Sequence, residues 1–236
     1  MNRILFEKSE IDGDVAEFSG DRARHVIEVL HGEPGQTLKT GVITGPIGSS
    51  VIEKISDGKV LVRCSHLHEA PGPWVDIVLA PPRPRVLKRL LPQLASLGAG
   101  RIVLAGAKKV EKDFWGATLL KEENWRALFI EGMMQAGTSA LPVLETRRDF
   151  RRFLDEELDV MFPHRRRIVA HPYGGGQVSL PGAGERLLLA VGPEGGWTDD
   201  EVERLERHGF MRYSLGSRIL RTDTALVALL ARLMPQ

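Results

Sequence analysis

The chain has 236 residues, 42% of them hydrophobic and 27% charged, and a formal net charge of +1. That composition is of a globular protein with one or two cores and argues against a disordered chain; no apolar run approaches the roughly 20 residues that cross a bilayer, so no membrane-spanning helix is expected. The opening MNRILFEKSE lacks the long apolar core of a signal peptide, and the single cysteine, Cys64, cannot form an internal disulfide, so the sequence reads as cytoplasmic.

The N-terminal part is made of short β-rich pieces. RILF, TLKTGVI, SSVIEKI and KVLVRCSHL read as strands, residues 21–30 as a helix and HGEPGQ as a turn, which predicts a small, mostly antiparallel barrel or sandwich. EAPGPW reads as a linker dividing residues 1–72 from 73–236. Beyond it strands alternate with helices, the pattern of an α/β domain: strand WVDIVLA and a helix over 85–97, strand RIVLAG and a helix near 122–135, a helix near 149–157, strands RIVA and LLLAV, a further helix, strand FMRYSL and a last helix over 224–234. Pro92 inside the 85–97 segment predicts a kink or an earlier helix end. The last helix is apolar around most of its circumference, which suits a core or a subunit interface.

Basic residues cluster in RPRVLKR (Arg83, Arg85, Lys88, Arg89), GAKK and HRRR. Such clusters fit a solvated face or a contact with nucleic acid. In KVLVRCSHLHE the strand period sets Cys64, His66 and His68 on one face. Three same-face positions on one strand, with no second ligand pair elsewhere, converge poorly on a tetrahedral ion, so no metal is expected.

The stretch LLLAVGPEGGWTDDEVERL places Gly192, Pro193, Glu194, Gly195 and Gly196 between an apolar run and an acidic amphipathic segment. Five apolar residues without alternation suit a strand buried on both faces of a parallel sheet. Thr198 and Glu201 have capping-box spacing, Asp199 and Asp200 add negative charge at the helix start, and Gly209 can end the helix in a left-handed conformation. The glycines therefore lie between a strand's carboxyl end and a helix amino terminus, where open α/β sheets bind ligands. A plain tight turn is the alternative, because the loop is neither G-x-G-x-x-G nor a P-loop. Two more loops follow strands: VAHPYGGG, with His171 and Pro172, and SLGSRILRTDTA, with Leu215, Gly216, Arg218, Ile219, Leu220 and Arg221 before a helix that Thr222 or Asp223 can cap. Three such loops can converge on one pocket.

GPEGGWTDDEV followed by LGSRILRTDTA resembles the RsmE family, the methyltransferases that modify N3 of a uridine in 16S ribosomal RNA of the small subunit. The resemblance covers the whole chain: DRARHVIEVLHGEPGQ stands where the family's PUA-like RNA-binding domain has its helix and turn, and LKRLLPQLASLGAGRIVL lies in the central part. It implies a PUA-like β-barrel over 1–72 and a SPOUT α/β domain with a deep trefoil knot over 73–236, a topology that no periodicity reveals. It also implies S-adenosylmethionine bent within the knot, held by backbone groups of three loops. By position these contain His171 and Pro172, then Gly192 to Gly196, then Leu215, Gly216, Ile219 and Leu220, the leucines and isoleucine walling the adenine. It implies a homodimer, with Leu226, Leu229, Leu230 and Leu233 of the last helix as dimer surface or knot core, and no metal.

The chain departs from the family pattern in places. QAGTSALP lacks the arginine that often follows the glutamine, Asp223 replaces a glutamate and Trp197 a phenylalanine. Methylation at N3 of uracil requires loss of a proton that neutral pH does not remove. Arginine is always charged and cannot be the base, so Arg221, with Arg218 next, is cast as an electrostatic partner of the uracil oxygen that gathers charge. Glu194 either accepts the proton or bonds loop amides. Arg83, Arg85, Lys88 and Arg89 are the candidate RNA face. Two alternatives stand beside this reading: a catalytically inactive RNA-binding SPOUT protein, which the intact GPEGG and RILRT disfavour, and a sibling methyltransferase acting on transfer RNA, which the N-terminal segment disfavours.

Overall fold

A computed structural model describes residues 2–163, 165–173, 175, 182 and 185–235. His164 of the HRRR cluster and much of the glycine run after Tyr173 lie outside the described residues. The chain divides into two units, Met1–Gly72 with Ile130–Leu141, and Pro73–Phe129 with Pro142–Gln236.

In the first unit β1 (Ile4–Phe6), β2 (Ile11–Asp12), β3 (Val15–Phe18), β4 (Thr37–Val42), β5 (Ile47–Ser56) and β6 (Lys59–His68) form one six-stranded sheet, ordered β1-β4-β5-β6-β3-β2. Neighbours are antiparallel except β1 and β4. Alternation decides the faces: in β6, Val60 and Val62 are fully buried while Lys59 and Arg63 are exposed. The helix read over 21–30 is α1 (Gly20–Arg24) running into a π-helical turn over His25–Val29.

Residues 130–141 join this unit, which the boundary at residue 72 did not anticipate. The Asn2 and Arg3 amides both donate to the Met134 carbonyl at 3.0 Å, the Thr44 amide donates to the Ser139 carbonyl at 2.8 Å, and the Arg3 guanidinium reaches the Gly137 carbonyl at 2.8 Å. Contacts between residues so far apart in the chain leave no local pattern. On the strand that carries Cys64, His66 and His68, His66 Nε2 lies 2.8 Å from Thr40 Oγ1, and burial, helped by the Arg3 charge, lowers its pKa. Among the described residues no three His, Cys, Asp or Glu side chains gather as metal ligands.

The second unit is α/β. β7 (Val75–Leu79), β8 (Ala99–Ala105), β9 (Val143–Arg147), β10 (Arg166–Ala170), β11 (Leu187–Val191) and β12 (Met211–Tyr213) form a wholly parallel sheet in the order β12-β10-β11-β7-β8-β9. β11 is central and all five of its residues are buried, as its unbroken apolar run predicts. Asp76 interrupts the apolar run of β7 while staying buried, and its carboxylate is engaged by the Arg101 amide at 2.8 Å, Arg165 at 3.3 Å and Arg186.

The helices are α2 (Pro84–Ser96), α3 (Glu122–Ala136), α4 (Phe150–Arg152), α5 (Leu158–Met161), α6 (Asp199–Arg207) and α7 (Thr222–Leu233), with a π-helical turn over Phe153–Glu157 joining α4 to α5. α2 buries Leu87, Leu90, Leu91 and Leu94 and exposes Arg85, Lys88 and Arg89. It does not end at Pro92 but runs on to Ser96. The amide that proline lacks would have met the carbonyl of Lys88, an exposed residue whose carbonyl can turn to water. For α7 the structure decides between the two roles read for its leucines. Leu226, Leu229, Leu230 and Leu233 are at most 1% exposed within the single chain, so they are core, with α2 among their neighbours, and cannot form a dimer surface. Among the described residues no helix is long and apolar enough to cross a membrane.

Candidate active site

The site is built at the carboxyl end of the parallel sheet, and α6 anchors it. Thr198 and Glu201 form the predicted capping box: the Glu201 carboxylate accepts the Thr198 amide at 2.8 Å while the Thr198 hydroxyl accepts from the Glu201 amide at 3.4 Å. Its other oxygen accepts the Lys108 amide at 2.7 Å, so one buried carboxylate fixes the start of α6 and the segment after β8. The helix ends as a Schellman turn, Gly209 at φ +80° with its amide on the Glu206 carbonyl and the Phe210 amide on the Leu205 carbonyl. Glu201→Ala is expected to cost about 2–3 kcal/mol, a lost cap plus buried amides without acceptors. Urea unfolding of the variant checks this, and Glu201→Gln should recover part of the loss.

The three loops are tied to one another. Ser214 Oγ donates to the Pro172 carbonyl at 3.1 Å, the His171 amide donates to the Tyr213 carbonyl at 3.0 Å, and Thr222 Oγ1 reaches the Gly192 carbonyl at 3.5 Å. The glycines of GPEGG serve different needs. A Cβ on Gly192 would meet the Trp197 backbone nitrogen at 3.0 Å, and one on Gly195 would meet Lys109 Cδ at 2.9 Å, while Gly196 has φ +67° and open space around the missing Cβ. Trp197 closes the loop from below, stacked on Phe150 at 5.1 Å.

Beside this loop lies a cavity of about 570 Å³, lined by Pro81, Pro82, Arg83, Pro84, Val86, Lys109, Glu111, Phe114, Glu194, Gly195 and Arg221. Its walls can be read from the chain upward. Three of the four residues 81–84 are prolines without an amide hydrogen, so Arg83 supplies the one N–H of that turn, and it donates to Glu194 Oε1 at 3.1 Å. The carboxylate thus sits at the amino end of α2. Of the two roles read for Glu194, bonding a loop amide is the one the geometry displays. Arg83 also pairs through Nε with Glu111 at 3.2 Å, and Lys109 Nζ donates to the Gly195 carbonyl at 2.7 Å.

Of the residues singled out in the sequence, Arg221, Glu194, Gly195 and Arg83 meet at the cavity. His171, Pro172, Leu215, Gly216, Ile219 and Leu220 belong to the other two loops and do not line it; Arg218 is exposed and also stands off it. Ile219 is 73% exposed. Arg85, Lys88 and Arg89 project from the outer face of α2, and Arg89 reaches Asp223 at 3.3 Å. Lys109, Glu111, Phe114 and the proline wall were not anticipated. GAKK reads locally as a basic cluster only, and nothing near it in the chain shows that Lys109 folds across Gly195.

The residues 68–234 match the model of the RNA methyltransferase domain. The chain is also 30% identical to a ribosomal RNA small subunit methyltransferase E of Treponema pallidum, over 97% of this chain and 88% of that protein. The chain belongs to the ribosomal RNA small subunit methyltransferase E family. The matched region contains all three loops and every residue lining the cavity. Solved structures agree in fold. A Legionella pneumophila protein described as a methyltransferase, in complex with its cofactor SAM, superposes with a TM-score of 0.76 at 25% identity, covering 98% of this chain and 96% of that one. A ribosomal RNA small subunit methyltransferase E from Neisseria gonorrhoeae bound to S-adenosyl methionine gives 0.77 at 20% identity with the same coverage.

Proposed function

We propose that this cytoplasmic protein methylates N3 of a specific uridine in 16S ribosomal RNA, with S-adenosylmethionine as methyl donor. The observation that carries the reading is the meeting of Arg221, Glu194 and Gly195, from two of the three tied loops, around one cavity at the carboxyl end of a parallel sheet. The loops suit the donor. Among the described residues, no atom beyond the chain neighbours stands within 4 Å of where a Cβ would be at Gly196 and Gly216 (φ +117°), so the main chain is open to close approach, and the buried Trp197 Nε1 meets no hydrogen-bond partner among them. His171, Pro172, Gly192, Pro193, Gly195 and Gly196 would offer backbone groups, and the exposed Leu215, Ile219 and Leu220 an apolar wall for the adenine.

When bound, the donor supplies an electrophilic methyl group. The chain's residues do the rest. Arg221 places a permanent positive charge in the cavity and stabilises the uracil oxygen that gathers charge as the N3 proton departs. Glu194, held by the Arg83 amide, keeps the glycine loop against the cavity. Prolines and Phe114 give the flat base apolar walls.

We infer a SPOUT knot in the second unit and a PUA-like character for the N-terminal unit from the family resemblance. The strand order supports the knot: β11 lies inside β10, and β12 returns beyond it. We infer a homodimer as well, through the exposed Tyr173 and Met211 at and beside the edge strand β12 in place of the buried α7 leucines. Light scattering at micromolar concentration is expected to give twice the chain mass; an active monomer would refute it. Mass mapping of nucleosides in small-subunit RNA from cells with and without the protein tests the reaction. One 3-methyluridine lost with the protein is the expected result, and unchanged small-subunit RNA would overturn the reading.

A further inference from the structure

The charges around the cavity do not cancel. Arg83 is matched by Glu111, and Arg221 stands 3.6 Å from Asp223, which also serves Arg89. Glu194 takes the Arg83 amide. Lys109 differs: its ammonium donates to the neutral Gly195 carbonyl, and among the described residues no carboxylate lies within ion-pair distance. Its methylenes lie across Gly195, the buried Glu201 carboxylate pins the backbone of the preceding residue, and an ammonium has two more N–H groups to give. A lysine held in this way, in no ion pair among the described residues and one of three cations against two carboxylates in the lining, is arranged to receive a negative group in the cavity.

We propose that Lys109 is a second catalytic cation, which together with Arg221 holds the anionic form of the target uracil. This rests on the N3-uridine reading above. N3 lies between two carbonyls. When its proton leaves to water, the electron pair stays on the ring and spreads over O2 and O4, and that same pair then forms the N3–carbon bond as the methyl group leaves its sulfur. Charge therefore develops on two oxygens, and the cavity offers two cations, one from the loop before α7 and one from the segment after β8. Phosphate docking is the competing use of such a lysine, and the two differ in what they do to proton loss.

The test uses Lys109→Met, which keeps the methylenes over Gly195, with Lys109→Arg as the conservative variant. In single turnover near neutral pH, Lys109→Met is expected to lose about a hundredfold in rate, as for removal of one donor to a developing oxyanion, and the gap should close as pH rises toward the ionisation of N3. RNA carrying 5-fluorouridine at the target, whose N3 proton is more acidic, should recover most of the loss, and Lys109→Arg part of it. S-adenosylmethionine affinity by calorimetry should fall far less than the rate, because Lys109 touches the cofactor loop only at Gly195. A loss confined to KM, the same at every pH and not rescued by 5-fluorouridine, would assign Lys109 to phosphate docking and overturn the proposal. So would an unchanged rate. A second arm needs no turnover: at mildly alkaline pH the wild type should bind 5-fluorouridine RNA more tightly than uridine RNA, and Lys109→Met should lose that preference. If the wild type methylates some other position, the function reading fails. The binding arm still decides whether Lys109 favours an ionised uracil, and equal preference in both proteins would refute it.

Discussion

Arg221→Ala is expected to lower methyl transfer by on the order of a hundredfold or more while leaving cofactor affinity within about twofold. The side chain is 73% exposed and lines the cavity, with Nε 3.6 Å from the Asp223 carboxylate. Its removal should not disturb α7. Arg221 caps that helix through its backbone, its carbonyl accepting the Ala225 amide at 2.7 Å, and its side chain makes no cap bond. What is lost is one preorganised charge at the place where the uracil anion forms, which slows the step without changing the ground-state loops. RNA binding should weaken only modestly, because a single exposed cation contributes little to docking. Single-turnover transfer, calorimetry with S-adenosylmethionine and thermal unfolding on the same preparation check the three limbs. An unchanged rate would place the catalytic cation elsewhere, on Lys109 or on Arg218.

Where the sequence could be read, a short-range pattern had one physical solution. The five apolar residues of β11 admit no solvated face, and the strand lies buried between β10 and β7. Thr198, Glu201 and Gly209 fixed both ends of α6 because each cap is settled within a turn of the chain. Legibility ended where an outcome depended on remote partners. The leucines of α7 carry an apolar stripe that fits a core as well as an interface, and only the fold shows them covered by the same chain. Strands β2, β3 and β9 are too short or too weakly alternating to register. The cavity is the clearest case. Arg221 and Glu194 could be singled out from motifs, whereas Lys109, Glu111 and Phe114 reach it from the segment after β8, through contacts such as that of Lys108 with Glu201, 93 positions away.

Reversing charge on the outer face of α2 separates docking from chemistry. Arg85 and Lys88 are exposed, lie three positions apart on one helical face opposite the buried leucines, and do not line the cavity. If they meet RNA phosphates, Arg85→Glu with Lys88→Glu should weaken binding by roughly ten- to a thousandfold near physiological salt. The slope of log affinity against log salt should flatten by about 1.4–1.8, since each phosphate contact contributes 0.7–0.9. Transfer at saturating RNA and S-adenosylmethionine affinity should both be retained. Arg89 is kept out of that pair for a structural reason. It reaches Asp223 at 3.3 Å, and Asp223 is also the carboxylate beside Arg221. Arg89→Glu would set two carboxylates against each other at the start of α7 and free Asp223 to hold Arg221 more tightly, so it should lower the rate at saturation as well as the affinity. Filter binding across a salt series, paired with single-turnover transfer, reads both effects. A double variant that binds RNA with an unaltered salt slope would show that this face of α2 is merely solvated. An Arg89→Glu variant with wild-type rate at saturation would show that Asp223 does not govern the charge at Arg221.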